Sequence, residues 1–149
     1  MKNIILSIPT RSTTDRLIQA VTTHAGLAAW FTPDVQAQPE IGSIGKVSFG
    51  PGFAFGFRVE LIDQAGLVEW ILTDGPEEWK GTRLIFEAKA DGGTIHFTFT
   101  HGGLPEGYPM ESFLTYCWAN HVRSLKLFLE TGTGQPYGSP ASRAWHPLD

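Results

Sequence analysis

Cysteine is nearly absent from this sequence, and so are long apolar runs. Cys117 is the single cysteine among 149 residues, which excludes an intrachain disulfide and fits a reducing compartment. The apolar stretch at residues 4–8 is too short for the core of a signal peptide. No segment approaches the roughly 18–20 consecutive apolar residues that a membrane-spanning helix needs. We therefore expect a cytoplasmic protein without membrane insertion.

Positive charge is also scarce. Lys and Arg number 11 against 15 Asp and Glu, which gives a net charge of −4, and no basic run is present. Nucleic-acid-binding modules concentrate positive charge on one face, so no nucleic-acid partner is expected. Charged residues make up only 17% of the chain and apolar residues 42%, a balance typical of a globular protein. The length fits one domain.

Named chemical motifs are missing as well. The Gly-rich turns at residues 50–52 and 102–103 do not match a phosphate loop or a dinucleotide fingerprint. No GxSxG, HExxH, CxxC or EF-hand pattern occurs. The sequence therefore predicts no catalytic residue, no metal site and no cofactor. It favours a protein that is not an enzyme, although the motifs alone leave that question open.

Aromatic residues are abundant, with ten Phe, five Trp and three Tyr making up 12% of the chain. The clearest pattern is a strict alternation over residues 53–61. It places Phe53, Phe55, Phe57, Val59 and Leu61 on one face of a long strand. Shorter alternating segments at 46–49, 68–72, 84–88 and 95–99 are joined by turn sequences such as Asp-Gly-Gly at 91–93. These segments predict an antiparallel sheet.

Helical patterns flank the strands. A first strand at residues 4–8 precedes two short helices, over 15–21 and 27–31, and Pro33 ends the second. A long helix is predicted over 110–130, with Gly132 as its C-cap. Its apolar stripe consists of Met110, Leu114, Cys117, Trp118, His121, Leu125 and Phe128. The fold class is therefore α+β, with a curved antiparallel sheet wrapped around the C-terminal helix.

The predicted domain covers residues 1–132. A tail rich in Gly, Pro and Ser follows over 133–149. This tail is either loosely attached or a strap held by Tyr137 and Trp145.

Several segments together resemble a known family. They are ILSIPTRSTTDRLIQAV with HAGLAAWFTP, then GTRLIFEAKADGGTIHFTFTHGGLPEG, and finally Cys117-Trp118 followed by SLKLFLETG. Their order and spacing resemble the START-like (SRPBCC) superfamily, and within it the family of the activator of heat-shock protein 90 ATPase. The resemblance implies a helix-grip fold over residues 1–132. Two departures are Cys117, where a small Gly is usual, and the extra tail, which could cover a cavity entrance.

The same resemblance implies a cavity between the sheet and the last helix, suited to an apolar or aromatic small molecule. The predicted wall consists of Trp30, Phe31, Phe53, Phe55, Phe57, Trp70, Phe97, Phe99, Trp118 and His121. His121 is either a buried histidine satisfied by its neighbours or a polar anchor for the ligand. If the chain were a cyclase- or hydrolase-like enzyme, His121 would be the candidate acid or base.

Cys117 and His121 are four residues apart and therefore neighbours on one helix face. This spacing would suit a thiolate–imidazolium pair or two metal ligands, but either role needs further groups. His96 and His101 supply no matching pair, since they face opposite sides of a regular strand. We therefore expect Cys117 to be a buried, inert thiol.

A second interpretation is a protein-interaction module, such as a heat-shock protein 90 co-chaperone-like or stress-response partner. Aromatic residues are enriched at interface hot spots, and Tyr116, Trp79 or Trp145 would be natural anchors if exposed. A homodimer is compatible with both interpretations. The sequence does not identify the ligand.

Overall fold

The computed structural model describes residues 1–146, and the last three residues of the predicted tail lie outside this range. Its seven strands form one curved antiparallel sheet in the order β1-β7-β6-β5-β4-β3-β2. The strands are β1 (Lys2–Thr10), β2 (Val35–Gln36), β3 (Ile44–Ser48), β4 (Ala54–Asp63), β5 (Leu67–Asp74), β6 (Arg83–Asp91) and β7 (Thr94–Leu104). From β2 to β7, strands that follow one another along the chain pair as antiparallel neighbours, whereas β1 pairs with β7 and residues 11–34 carry the chain from β1 to β2 at the opposite edge.

Two short helices follow β1, and one long helix follows β7. They are α1 (Thr14–Thr22), α2 (His24–Trp30) and α3 (Glu111–Thr131). Thr13 caps α1 by accepting a hydrogen bond from the Arg16 backbone N–H at 3.2 Å. Gly132 ends α3 with a φ of 84°, a left-handed conformation that favours glycine. The predicted α+β helix-grip fold is confirmed. None of the helices within residues 1–146 is long and apolar enough to span a bilayer.

The structure departs from the predicted elements at three points. The short strand β2 lies in a segment predicted as loop, because two residues are too few for a sequence pattern to show. A bulge in β4 places Leu61 opposite Glu69 and Ile62 opposite Val68, so Ile62 rather than Leu61 shares the core face. Met110 is the N-cap residue of α3 and is half exposed, whereas its place in the predicted apolar stripe of the helix implied that it would be buried.

The core lies between the sheet and the helices. At its centre the rings of Phe57 and Trp70 stack with centroids 3.9 Å apart, and both are fully buried. Gly45, opposite Phe57 in the sheet, leaves room for that ring, since a Cβ there would lie 2.2 Å from Phe57 Cζ. On the other side, Trp118 of α3 packs on Phe99 of β7 with ring centroids 4.6 Å apart. This contact helps hold α3 across the sheet.

The segment after α3 turns back onto the fold. The Tyr137 backbone N–H donates to the Phe31 carbonyl at 2.9 Å. The Ser124 hydroxyl donates to the Trp30 carbonyl at 2.7 Å and accepts from the Gln135 backbone N–H at 2.8 Å. These bonds join the tail to the end of α2 and to α3.

Candidate functional site

A pocket of about 260 Å³ lies between the first half of α3 and the turn that joins β3 to β4. Its sheet side consists of Phe49, at the end of β3, and Phe53 and Phe55, at the start of β4. Its helix side consists of Leu114, Cys117, Trp118 and His121 of α3. The α3 residues recur every three or four positions, as expected for one helix face.

Five of the ten predicted wall residues line this pocket: Phe31, Phe53, Phe55, Trp118 and His121. The other five do not: Trp30, Phe57, Trp70, Phe97 and Phe99. Each of these five side chains is at most 2% exposed, and together they fill the core instead. Alternation along a strand identifies the face that points inward, but it does not show which inward residues meet empty space.

The buried residues next to the pocket support its walls. Trp30 donates its indole N–H to the Ala20 carbonyl at 2.8 Å, and its ring stacks on Phe31 with centroids 4.7 Å apart. Phe99 lies beneath Trp118. Trp30 and Phe99, which do not line the pocket, therefore support Phe31 and Trp118, which do.

His121 is a buried histidine in the wall of the pocket, with 8% of its surface exposed. Aromatic rings surround it, with centroids at 4.8 Å for Phe31, 4.9 Å for Trp145 and 5.7 Å for Trp118. No hydrogen bond joins its ring to any described residue. Burial, followed by the charge of nearby His146, lowers the pKa of His121 to about 3. The imidazole is therefore neutral at physiological pH and is a weak base there.

A second buried histidine, His101 of β7, was missed as a site residue. Its Nδ1 accepts from the Trp118 indole N–H at 3.1 Å, and its Nε2 lies 2.9 Å from the Thr82 hydroxyl oxygen. That hydroxyl donates to the Trp79 carbonyl at 2.5 Å, so Nε2 carries the proton and donates to Thr82. Burial lowers the pKa of His101 to about 4. His101 shares the inward parity of Phe97 and Phe99, and that pattern could have identified it.

Trp79 forms another wall of the pocket. It is only 5% exposed, so the expectation that it could anchor a partner protein is wrong. Its indole N–H donates to the Tyr108 hydroxyl at 3.2 Å, and its ring is perpendicular to that of His101 at 5.0 Å. The loop over residues 77–81, which also carries Glu77, Glu78 and Lys80, therefore turns one large aromatic side chain inward.

The tail supplies the outer wall through Trp145 and His146. Trp145 meets His121 edge to face, and His146 stacks on Phe49 with centroids 5.9 Å apart. The rim of the pocket is formed by Met110 and Phe113, which are 49% and 39% exposed. Of the two alternatives for the tail, these contacts favour the strap held by Tyr137 and Trp145.

Cys117 lines the pocket beside His121, and burial raises the pKa of its thiol to about 11. A thiol with so high a pKa is almost fully protonated at neutral pH and is a poor nucleophile or metal ligand. Within residues 1–146, no three His, Cys, Asp or Glu side chains are grouped closely enough to hold a metal ion. The arrangement is suited to holding an apolar molecule through ring contacts.

Comparison with known proteins gives matches only among solved structures, since no protein-family model and no curated protein matches this sequence. The solution structure of the Aha1 dimer from Colwellia psychrerythraea is similar with a TM-score of 0.81 and 30% identity. The match covers 90% of this chain and 100% of that one. DynU16, a protein of the dynemicin biosynthetic locus, is similar with a TM-score of 0.74 and 20% identity, over 90% of this chain but 49% of DynU16.

A protein from Mesorhizobium loti shares the fold at 11% identity, with a TM-score of 0.75 over 86% of this chain and 96% of its own. A match at this level of identity shows only that the fold is shared. The match to the Colwellia protein, by contrast, extends over that whole chain at 30% identity. Together with the motifs quoted above, it shows that this chain belongs to the Aha1 family within the START-like (SRPBCC) superfamily.

Proposed function

We propose that this protein binds an apolar or aromatic small molecule in the pocket between α3 and the sheet. The observation that supports the proposal is an unfilled space walled by aromatic rings inside an otherwise densely packed fold. Apolar walls that contact water rather than other side chains forgo the free energy of burial, which a ligand covering them would recover. A space of this size is therefore an arrangement that a ligand would stabilise.

The dimensions agree with a small ligand. Ligand pockets usually measure about 300–1,000 Å³, and an engineered apolar cavity of about 150 Å³ admits benzene. The pocket, at about 260 Å³, would hold a molecule of one or two rings. The half-exposed rim at Met110 and Phe113 gives such a molecule a route of entry.

The proposal is tested by titrating the protein with 1-aminonaphthalene, an uncharged fluorophore that responds to the polarity of its surroundings. We expect saturable one-to-one binding with a blue-shifted emission. In the variant Cys117→Phe, the larger side chain would fill the pocket and reduce the affinity at least tenfold. Ser112→Phe is the matched control, because Ser112 is exposed on the same helix and does not line the pocket.

Absence of saturable binding by the folded wild-type protein would refute the proposal. Equal affinities of the wild type and Cys117→Phe would place the bound probe elsewhere on the protein. Circular dichroism spectra of both variants establish that they are folded.

A protein-interaction role is the second candidate, and an exposed apolar strip on α3 supports it. Met110, Phe113 and Tyr116 recur every three residues, and all are at least 39% exposed. The related Colwellia protein is described as a dimer, so a homodimer through this strip is one form of the role. A complex with heat-shock protein 90, as the family name suggests, is the other.

Sedimentation equilibrium of the purified protein distinguishes a homodimer from a monomer. Phe113→Lys, which places a charge in the strip, is expected to shift a dimer to monomer, whereas Ser112→Lys is expected to leave it intact. Addition of purified heat-shock protein 90 tests the other form, with the rate of ATP hydrolysis as the readout. A monomer without effect on that rate would argue against this second role.

A further inference from the structure

The pocket wall is poor in ionisable groups, and His146 at its outer side is the side chain there that can carry a positive charge. Of the described side chains that line it, none is an Asp, Glu, Lys or Arg. His121, the most deeply placed titratable group, is kept neutral by its surroundings. Transferring a carboxylate or an ammonium from water into the space between the aromatic rings is costly, because ring walls do not compensate for the lost hydration. The walls thus discriminate against charged molecules.

One polar side chain of the pocket wall makes no hydrogen bond to another described residue. His121 is more than nine-tenths buried, and its imidazole has no hydrogen-bond partner among the described residues. A neutral imidazole carries one N–H donor and one unprotonated nitrogen acceptor. The imidazole nitrogens are not among the fully buried unpaired atoms of the described residues, so they are accessible from the pocket, where a ligand group can pair with them.

The surrounding rings specify the shape of that partner. Phe31 and Trp145 both meet the His121 ring nearly at right angles, with interplanar angles of 88° and 87°. Phe49 and Trp118 add further ring faces and edges at 5.5 Å and 5.7 Å. A flat aromatic molecule can contact such walls in stacked or edge-to-face geometry, which the ring quadrupoles favour.

We propose that the ligand is an uncharged aromatic molecule of one or two rings whose hydroxyl group hydrogen bonds to the His121 imidazole. A hydroxyl both donates and accepts, so it pairs with either ring nitrogen. This inference rests on the proposed function, since it specifies which small molecules the pocket selects. It assigns to His121 the role of a specificity-determining residue.

Three probes of one ring system test the proposal: naphthalene, 2-naphthol and 2-naphthoate, each titrated calorimetrically at pH 7.5. A net hydrogen bond contributes about 1 kcal/mol, so 2-naphthol is expected to bind about fivefold more tightly than naphthalene. The charged 2-naphthoate is expected to bind at least 100-fold more weakly than 2-naphthol. The comparison uses the wild-type protein and does not depend on how well a variant folds.

His121→Phe supplies the second arm. It retains a planar ring but removes both ring nitrogens, so the preference for 2-naphthol over naphthalene should disappear while naphthalene still binds. His96→Phe, on the exposed side of β7, is the matched control and should keep the preference.

Failure of the two proposals gives different results. If the wild type binds none of the three probes, the proposed small-molecule function is overturned. If naphthalene binds as tightly as 2-naphthol, or 2-naphthoate binds as tightly as either, the pocket binds small molecules but the ligand class is wrong. Persistence of the 2-naphthol preference in His121→Phe would remove His121 from its role.

Discussion

The indole N–H of Trp118 donates to Nδ1 of His101 at 3.1 Å, and this bond joins the middle of α3 to β7 in the interior of the protein. His101 in turn contacts Thr82 through its other ring nitrogen. The bond matters for the pocket because Trp118 is one of its walls. A side chain that does not line the pocket therefore positions one that does.

Replacement of His101 should consequently cost more than the loss of one side chain of its size. In His101→Leu the Trp118 N–H has no acceptor and the Thr82 hydroxyl loses a donor. We expect the free energy of unfolding to fall by about 3 kcal/mol, measured by urea denaturation. His96→Leu, at an exposed position on the same strand, should change it by less than about 0.5 kcal/mol. A similar small effect for both variants would refute the positioning role.

The two buried histidines should make stability depend on pH. Their folded-state pKa values, about 4 for His101 and about 3 for His121, lie below the ordinary 6.5. At pH values between each folded-state pKa and 6.5, the unfolded chain binds a proton that the folded chain does not. The free energy of unfolding therefore has its full value above pH 6.5 and falls as the pH decreases. Each histidine should contribute a slope of about 1.4 kcal/mol per pH unit near pH 5.5.

Urea denaturation between pH 5 and 7 measures this slope. In His121→Phe the slope should be smaller by about 1.4 kcal/mol per pH unit, since one proton-linked site is gone. Ser112→Phe, which removes no titratable group from α3, should leave the slope unchanged. An identical slope in the wild type and His121→Phe would show that His121 is not held neutral by burial.

Trp145 is expected to control the environment of His121. Its ring lies 4.9 Å from the imidazole and closes one side of the pocket. In Trp145→Ala, water gains access and desolvation decreases, so the pKa of His121 should rise from about 3 toward 6.5. An NMR titration of the His121 ring protons measures the change. Arg143→Ala, a substitution at an exposed position in the same tail, is the control and should leave the pKa of His121 unchanged. An unchanged pKa in Trp145→Ala would show that the tail does not cover the pocket.

Gly45 should tolerate no side chain. A Cβ at this position would overlap the Phe57 ring, which cannot yield because it is buried and stacked on Trp70. Gly45→Ala should therefore lower the free energy of unfolding by about 2 kcal/mol, measured by thermal or urea denaturation. Gly93→Ala is the matched control, since a Cβ there meets nothing within 4 Å. Equal stabilities of the two variants would show that the sheet adjusts at Gly45.

The secondary structure followed from local patterns. Alternation identified β4, the 3.6-residue period identified α3, and Gly132 marked the end of that helix, because each depends on residues close in sequence. The bulge near Leu61 could not be predicted in this way. A single extra residue leaves the composition unchanged, and only pairing with Glu69 and Val68 shows that the strand has switched faces.

What the sequence by itself determined is the inward-facing set of residues, the order of elements and, through its motifs, the Aha1 family. What only the tertiary structure decided is which inward residues meet empty space. Phe55 and Phe57 share one face of β4, yet Phe55 lines the pocket and Phe57 stacks on Trp70. Trp145 lies 24 residues along the chain from His121, yet contacts its ring. Periodicity encodes a direction for each side chain, whereas a cavity depends on how distant side chains fill a shared volume, and local sequence does not carry that information.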